Sequence, residues 1–139
     1  MIAFDTDVLT RLLYGDRSLS ARAAAIESEE QSVPVVVLEE VMRGRLNGIR
    51  QAASRRADED LQRAYELFGR TFTALRQTRV LPYSATSHGL FEEWRRQKLR
   101  LSTNDLRIAA ICVAESATLV TCNRRDFERV TGLKVEFWN

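Results

Sequence analysis

The chain carries one histidine, His88, and two cysteines, Cys112 and Cys122, and that shortage limits the chemistry open to it. No zinc site can be assembled from three such residues. A serine–histidine–aspartate triad would depend on His88, and the Gly-x-Ser-x-Gly turn that presents such a serine is missing. Two cysteines ten residues apart form neither a Cys-x-x-Cys redox pair nor a disulfide framework. Carboxylates remain. Three of them held ~5 Å apart repel by ~3 kcal/mol per pair at an effective dielectric of about 20, so a protein gathers them around a cation. Hard oxygen donors without His or Cys select Mg²⁺ or Mn²⁺ over zinc. Such an ion polarises a phosphoryl oxygen, lowers the pKa of a bound water and balances charge on a departing oxygen, which is the equipment for phosphodiester hydrolysis.

Which acids could meet depends on the elements that carry them. Residues 1–4 form a short apolar run that stops at Asp5, the pattern of a buried strand. Residues 7–14 take helical spacing through Val8, Leu9, Leu12 and Leu13, with Asp7 as a first-turn acid, and residues 21–30 read as a second small helix. Residues 33–38 are β-branched and apolar with no alternation, which predicts a strand covered on both faces, with Pro34 at its first positions. A helical pattern follows through Val41, Met42, Leu46 and Ile49. The longest helix spans about 58–78, with Asp58, Glu59 and Asp60 crowding its first turn as the helix dipole prefers. Residues 79–83 form a weak third strand, and Ser84 caps the next helix. Residues 104–116 are apolar almost all round and predict a buried helix. Residues 117–121 and 133–138 are the last strands, with a short helix between them.

Strands and helices thus alternate through one domain, 1–139, which favours a largely parallel sheet of about five strands with helices on both faces. Ligands of such sheets bind beyond the carboxyl ends of the strands. Asp5 ends the first strand, Glu40 lies just past the second, Asp105 begins the buried helix that leads into the fourth, and Asn123 follows the fourth. This topology delivers all four to one edge.

Charge adds a second signal. The 21 bases and 19 acids leave +2, yet nineteen of the bases are Arg. Residues 43–57 hold five Arg and no acid, and residues 95–107 hold four Arg and one Lys against a single acid, Asp105. Arg suits phosphates, and a solvated helix face is the plain alternative. The apolar run at 108–114 is seven residues long, against the ~20 needed to span a membrane. An acid at position 5 comes too early for a signal peptide, and the cysteine usage fits a reducing, cytoplasmic setting.

The motifs resemble those of PIN-domain ribonucleases, specifically the toxin half of bacterial VapBC-type toxin–antitoxin pairs. Phe4-Asp5-Thr6-Asp7-Val8-Leu9 is similar to the family's opening aspartate in a D-T-N-like turn. Glu40-Val41-Met42-Arg43-Gly44 fits its E-x-x-x-G, and Thr103-Asn104-Asp105-Leu106-Arg107-Ile108-Ala109-Ala110 its N-D-x-x-I-A-A. Leu119-Val120-Thr121-Cys122-Asn123-Arg124-Arg125-Asp126-Phe127 and residues 132–138 complete a likeness over essentially the whole chain.

The resemblance implies a PIN-like three-layer α/β/α fold and an endoribonuclease dependent on Mg²⁺ or Mn²⁺. It implies an RNA substrate, a VapB-type antitoxin as partner, a homodimer and no membrane. Asp5 and Asp105 are then direct metal ligands. Glu40 binds the metal directly or through water, or orients the attacking water. The family's four-residue gap to glycine selects Glu40 over Glu39, with Gly44 leaving the approach open. Many members have a fourth acid where this chain has Asn123, which can ligate through its carbonyl oxygen but brings no charge. Asp126 either supplies the missing carboxylate or caps a helix. Thr121 and Thr103 are candidates to hydrogen-bond the cluster. Arg43, Arg45, Arg107 and Arg124 are candidates to contact RNA.

Each acid also has a plain reading: Asp5 or Asp7 as a helix cap, Asp105 as a dipole partner with Asn104 as cap, Glu40 as a solvated helix acid. Loss of the fourth acid would also suit a non-catalytic binding module on the same fold. A phosphate-accepting receiver domain would need an aspartate ending the third strand and a lysine ending the fifth, where this chain has Leu81-Pro82-Tyr83 and Lys134 at the strand's start.

Overall fold

A computed structural model describes all 139 residues. Five strands form one parallel sheet in the order β3-β2-β1-β4-β5. They are β1 (Ile2–Phe4), β2 (Gln31–Pro34), β3 (Arg79–Leu81), β4 (Thr118–Thr121) and β5 (Val135–Phe137). The flanking helices are α1 (Thr6–Leu13), α2 (Arg17–Ala24), α3 (Val35–Arg55), α4 (Asp58–Leu75), α5 (Ala85–Arg96), α6 (Thr103–Ala114) and α7 (Arg124–Phe127).

From β1 the chain moves outward to β2 and β3, then returns to place β4 on β1's other side. The strand order therefore reverses at β1, and a crevice opens beyond the carboxyl ends of β1 and its neighbours. Helix α6, whose Leu106 and Ile108 through Cys112 are all buried, packs over β2 and β4. It joins α1, the strands and the C-terminal Trp138 in a core of 25 buried apolar residues.

One expected strand is half helix. Residues 33–38 divide at Pro34, which ends β2 instead of starting it, and Val35, Val36 and Val37 make the first turn of α3. Pro34 serves as the helix N-cap at φ −59° and ψ 141°, where its missing N–H costs nothing to the helix. Burial outweighs propensity here. Each β-branched residue costs ~0.5 kcal/mol in a helix, while full burial of a valine gains ~1.5 kcal/mol or more, and Val36 and Val37 are both buried.

Smaller corrections follow the same local chemistry. The expected helix at 21–30 divides into α2, capped by Asp16, and a single 3₁₀ turn at Ser28–Glu30. The long helix ends at Leu75, with Arg76 as its C-cap. Ser102, not Asn104, caps α6 by accepting from the Asp105 N–H, and Asp5, not Asp7, caps α1. Ser84 caps α5 as expected, in a reciprocal arrangement with Ser87.

Candidate active site

Asp5 leaves β1 at the point where the strand order reverses. Its backbone N–H continues the sheet by donating to Val120 O at 2.9 Å. Its Oδ1 accepts from the Thr6 N–H at 2.7 Å, and its Oδ2 accepts from the Thr121 hydroxyl at 2.6 Å. The side chain is thus locked between the start of α1 and the end of β4, and the residue is only 6% exposed. Burial pushes the carboxyl up from 3.8 to about 6. The Thr121 and Thr6 hydrogen bonds oppose that rise, while the charges of Asp105 and Asp7 add to it.

Glu40 reaches the same place from the second turn of α3. Its Oε2 accepts from the Thr6 hydroxyl at 2.6 Å and its Oε1 from the Asn104 side-chain amide at 2.7 Å. Thr6 therefore links two acids, holding Asp5 with its backbone and Glu40 with its side chain. Glu39 points away, exposed and paired with Arg43. Asp105, in the first turn of α6, is half-buried, and burial raises its pKa against a hydrogen bond from Ser102. The charges of Glu40 and Asp126 raise it further.

Asp5, Glu40, Asp105 and Asn123 line one cleft of about 650 Å³, with Thr6, Asp7, Thr10 and Cys122 completing its wall. None of Asp5, Asp7, Glu40, Asp105 and Asp126 forms an ion pair with an arginine or lysine. A pocket of acids without a cation is electrostatically incomplete. The donors are all hard oxygens, as a Mg²⁺ or Mn²⁺ site requires. As the side chains stand, no three of them converge closely enough to hold an ion in common.

Asp126 does not line this cleft. Asn123 caps α7: its Oδ1 accepts from the Asp126 N–H at 3.3 Å, and its amide donates to Asp126 Oδ2 at 2.9 Å. Thr121 holds Asp5 as the sequence suggests, whereas Thr103 only opens α6, and Asn104 beside it makes the bond to Glu40. A Cβ at Gly44 would meet nothing within 4 Å, so no packing constraint explains that glycine.

The four candidate arginines separate. Arg107 flanks the site, donating to Asn104 Oδ1 at 3.3 Å with its guanidinium over Phe91. Arg43 is exposed and paired with Glu39, and Arg124 pairs with Glu128 and lies over Phe137. Arg45 is the correction: it is buried against α4 and unavailable to a surface-bound RNA, because its position on α3 faces Thr71. Sequence reasoning gave no role to Thr6 or Arg11, and to Asn104 only that of a helix cap. Arg11 sits at the rim, donating to Asp16 and reaching Cys122 Sγ at 3.4 Å. The short D-T-D and N-D runs were the available signal for Thr6 and Asn104, since a small polar residue beside a buried acid is a ready hydrogen-bond donor. Cys112 is core, its thiol pushed up to about 12 by burial, and burial also raises Cys122.

The chain belongs to the PIN-domain family, whose model matches residues 2–133. Among curated proteins it is similar to Ribonuclease VapC2 of Rickettsia felis, 35% identical over 69 residues. That match covers 47% of this chain and 52% of the relative, so it spans about half the relative's length. Among solved structures, VapBC2 from Rickettsia felis bound to a DNA fragment from their promoter superposes with a TM-score of 0.74 at 24% identity, covering 100% of both chains. VapBC-1 from nontypeable Haemophilus influenzae gives 0.73 at 18% identity, covering 99% of this chain and 98% of that one. A toxin–antitoxin complex from Klebsiella pneumoniae gives 0.71 at 23% identity, covering 96% and 95%. At these identities the superpositions establish a shared fold.

Proposed function

We propose that the chain is a divalent-metal-dependent endoribonuclease, the toxin component of a type II toxin–antitoxin module. The observation that carries this reading is a buried Asp5 that shares a cleft with Glu40 and Asp105 while no basic side chain neutralises any of them. The ribonuclease name of the Rickettsia felis relative agrees with it.

Asp5 and Asp105 are the residues to hold Mg²⁺ or Mn²⁺, with Glu40 as a third ligand or as the group that orients the attacking water. The bound ion would supply polarisation of the scissile phosphodiester and acidification of a water. The protein's own part is to position. Thr121 and Thr6 fix both oxygens of Asp5, and Thr6 and Asn104 fix both oxygens of Glu40. With an ion bound there, the pKa of Asp5 would fall, because a nearby cation favours its charged form. Arg107 and Arg11 flank the cleft and suit the phosphates on either side of the cut. A VapB-type antitoxin as partner, a homodimer and a cytoplasmic setting complete the proposal.

The test is cleavage of a structured RNA with Mg²⁺ or Mn²⁺ by the wild type and by Asp5→Asn. Loss of cleavage in the variant and in EDTA is expected; activity that survives both refutes the assignment. A second reading, a non-catalytic binding module, draws on Asn123 standing at the fourth-acid position with its amide tied to Asp126. Titration calorimetry with Mn²⁺ separates the two, since only an intact site should bind the ion and lose it on Asp5→Asn.

A further inference from the structure

Beyond its first turn, α6 carries a single charged residue, Arg107, set between Leu106 and Ile108 of the core. It is half-buried, and no carboxylate pairs with it. What it has instead is a seat and a partner. Its guanidinium lies 5.1 Å from the centroid of the Phe91 ring on α5, and Phe91 is itself part of the core. Its Nη1 donates to Asn104 Oδ1, one turn back on the same face of α6, at 3.3 Å. Arg95, the other arginine over that ring, is paired with Glu92 and faces no such task.

Asn104 has two unlike ends. Its amide donates to Glu40 Oε1 at 2.7 Å, and only that end suits a carboxylate, because the carbonyl oxygen would repel it. A guanidinium carries donors and no acceptor, so it can hold only the carbonyl end. Glu40 on one side and Arg107 on the other therefore fix both the rotation of the amide and its direction. With its Oδ1 released, the amide would be free to turn away and leave Glu40 held by the Thr6 hydroxyl alone. A continuous strut thus runs from the core at Phe91 through Arg107 and Asn104 to a carboxylate 64 residues away in sequence.

We propose that Arg107 is a positioning residue, which aims Glu40 into the acid cleft by holding the carbonyl end of the Asn104 amide, with Phe91 as its seat. Its consequence for RNA cleavage rests on the nuclease reading; the strut itself does not. Arg107 does not line the cleft, so its effect on the reacting groups passes through Asn104. Supports of this kind, one hydrogen bond behind a functional carboxylate, are worth ~10–100-fold in activity. An arginine that served only to attract RNA phosphates would act differently, on binding and not on the chemical step.

The test is a double-mutant cycle of Arg107→Met and Asn104→Ala, read as the single-turnover rate of cleavage at saturating RNA in Mn²⁺. Methionine keeps an apolar stem over Phe91 and removes the donors. Arg107→Met alone should slow the reaction about tenfold, Asn104→Ala by as much or more, and the double variant no further than Asn104→Ala. Arg107→Lys, which retains a donor for Asn104, should recover most of the loss. A saturated rate left intact by Arg107→Met, or losses that multiply in the double variant, would overturn the proposal. A second measurement needs no cleavage: the side-chain amide protons of Asn104 in the NMR spectrum, assigned by their absence in Asn104→Ala. In the wild type they should stand apart from those of free amides, and in Arg107→Met they should shift toward the free positions. An unmoved pair sinks the strut whether or not the chain cuts RNA. A pair that moves in a protein that cuts no RNA upholds the strut and removes the nuclease reading instead.

Discussion

Two regions of this molecule mirror each other. At the carboxyl end of β1, a buried acid, Asp5, sits among other acids with no cation to balance it. Between α1 and α4, a buried cation, Arg45, donates only to the neutral Thr71 and Tyr14 side chains and pairs with no acid. Where charges meet on the surface they pair in the ordinary way, as Arg43 with Glu39 or Arg96 with Glu93. Surface pairs of that kind contribute ~1 kcal/mol or less, whereas one uncompensated buried charge costs several times as much. The contrast teaches that like charges gathered in one cleft, more than a lone buried charge or charge abundant on the surface, point to what the protein binds.

The largest expected effect would break the acidic half of that comparison. Asp5→Asn or Asp105→Asn should lower RNA cleavage on the order of 10³-fold, measured under single-turnover conditions in Mn²⁺. Thr6→Val should cost ~10–100-fold, because it frees Glu40 while leaving the Thr6 N–H on Asp5 in place.

A pH series sharpens the same half. Burial holds the Asp5 carboxyl at about 6 in the folded chain against an ordinary 3.8, so the native state binds the extra proton between those limits. In EDTA, its contribution to stability should therefore be fullest below about pH 4 and should fall as pH rises through 6, by at most ~3 kcal/mol. Denaturant melts of the wild type against Asp5→Asn isolate this term, and Mn²⁺ should flatten it. A wild-type curve parallel to the variant's would contradict the burial of an unbalanced acid.

The basic half is tested by removing its charge. Arg45→Met should leave stability unchanged or raise it by ~1 kcal/mol or more, read from the denaturant midpoint, because an apolar chain replaces a desolvated guanidinium. Glu39→Gln, one helix position from Glu40, should change neither stability nor cleavage measurably, since its partner Arg43 is exposed.

The strands and the acids at their ends were legible because apolar runs that stop at an acid leave few alternatives, as in residues 1–5. Val35 to Val37 was illegible because a buried helix turn and a buried strand share one apolar pattern, and only tertiary packing separates them. Arg45 looked like its exposed neighbour Arg43 because a string of arginines does not reveal which way each faces on a helix whose partner is unknown. Thr6 and Asn104 were missed for another reason: their roles rest on contacts 34 and 64 residues away, with Glu40. Asn123 was marked as a departure, but its tie to Asp126 needed the turn that follows β4.

The hydrogen bond from Thr121 to Asp5 joins positions 116 residues apart. During synthesis β1 can pair with β2 early, yet its other flank stays open until β4 emerges and docks. A nascent chain therefore lacks an assembled acid pocket until β4 has emerged from the ribosome and taken its place beside β1.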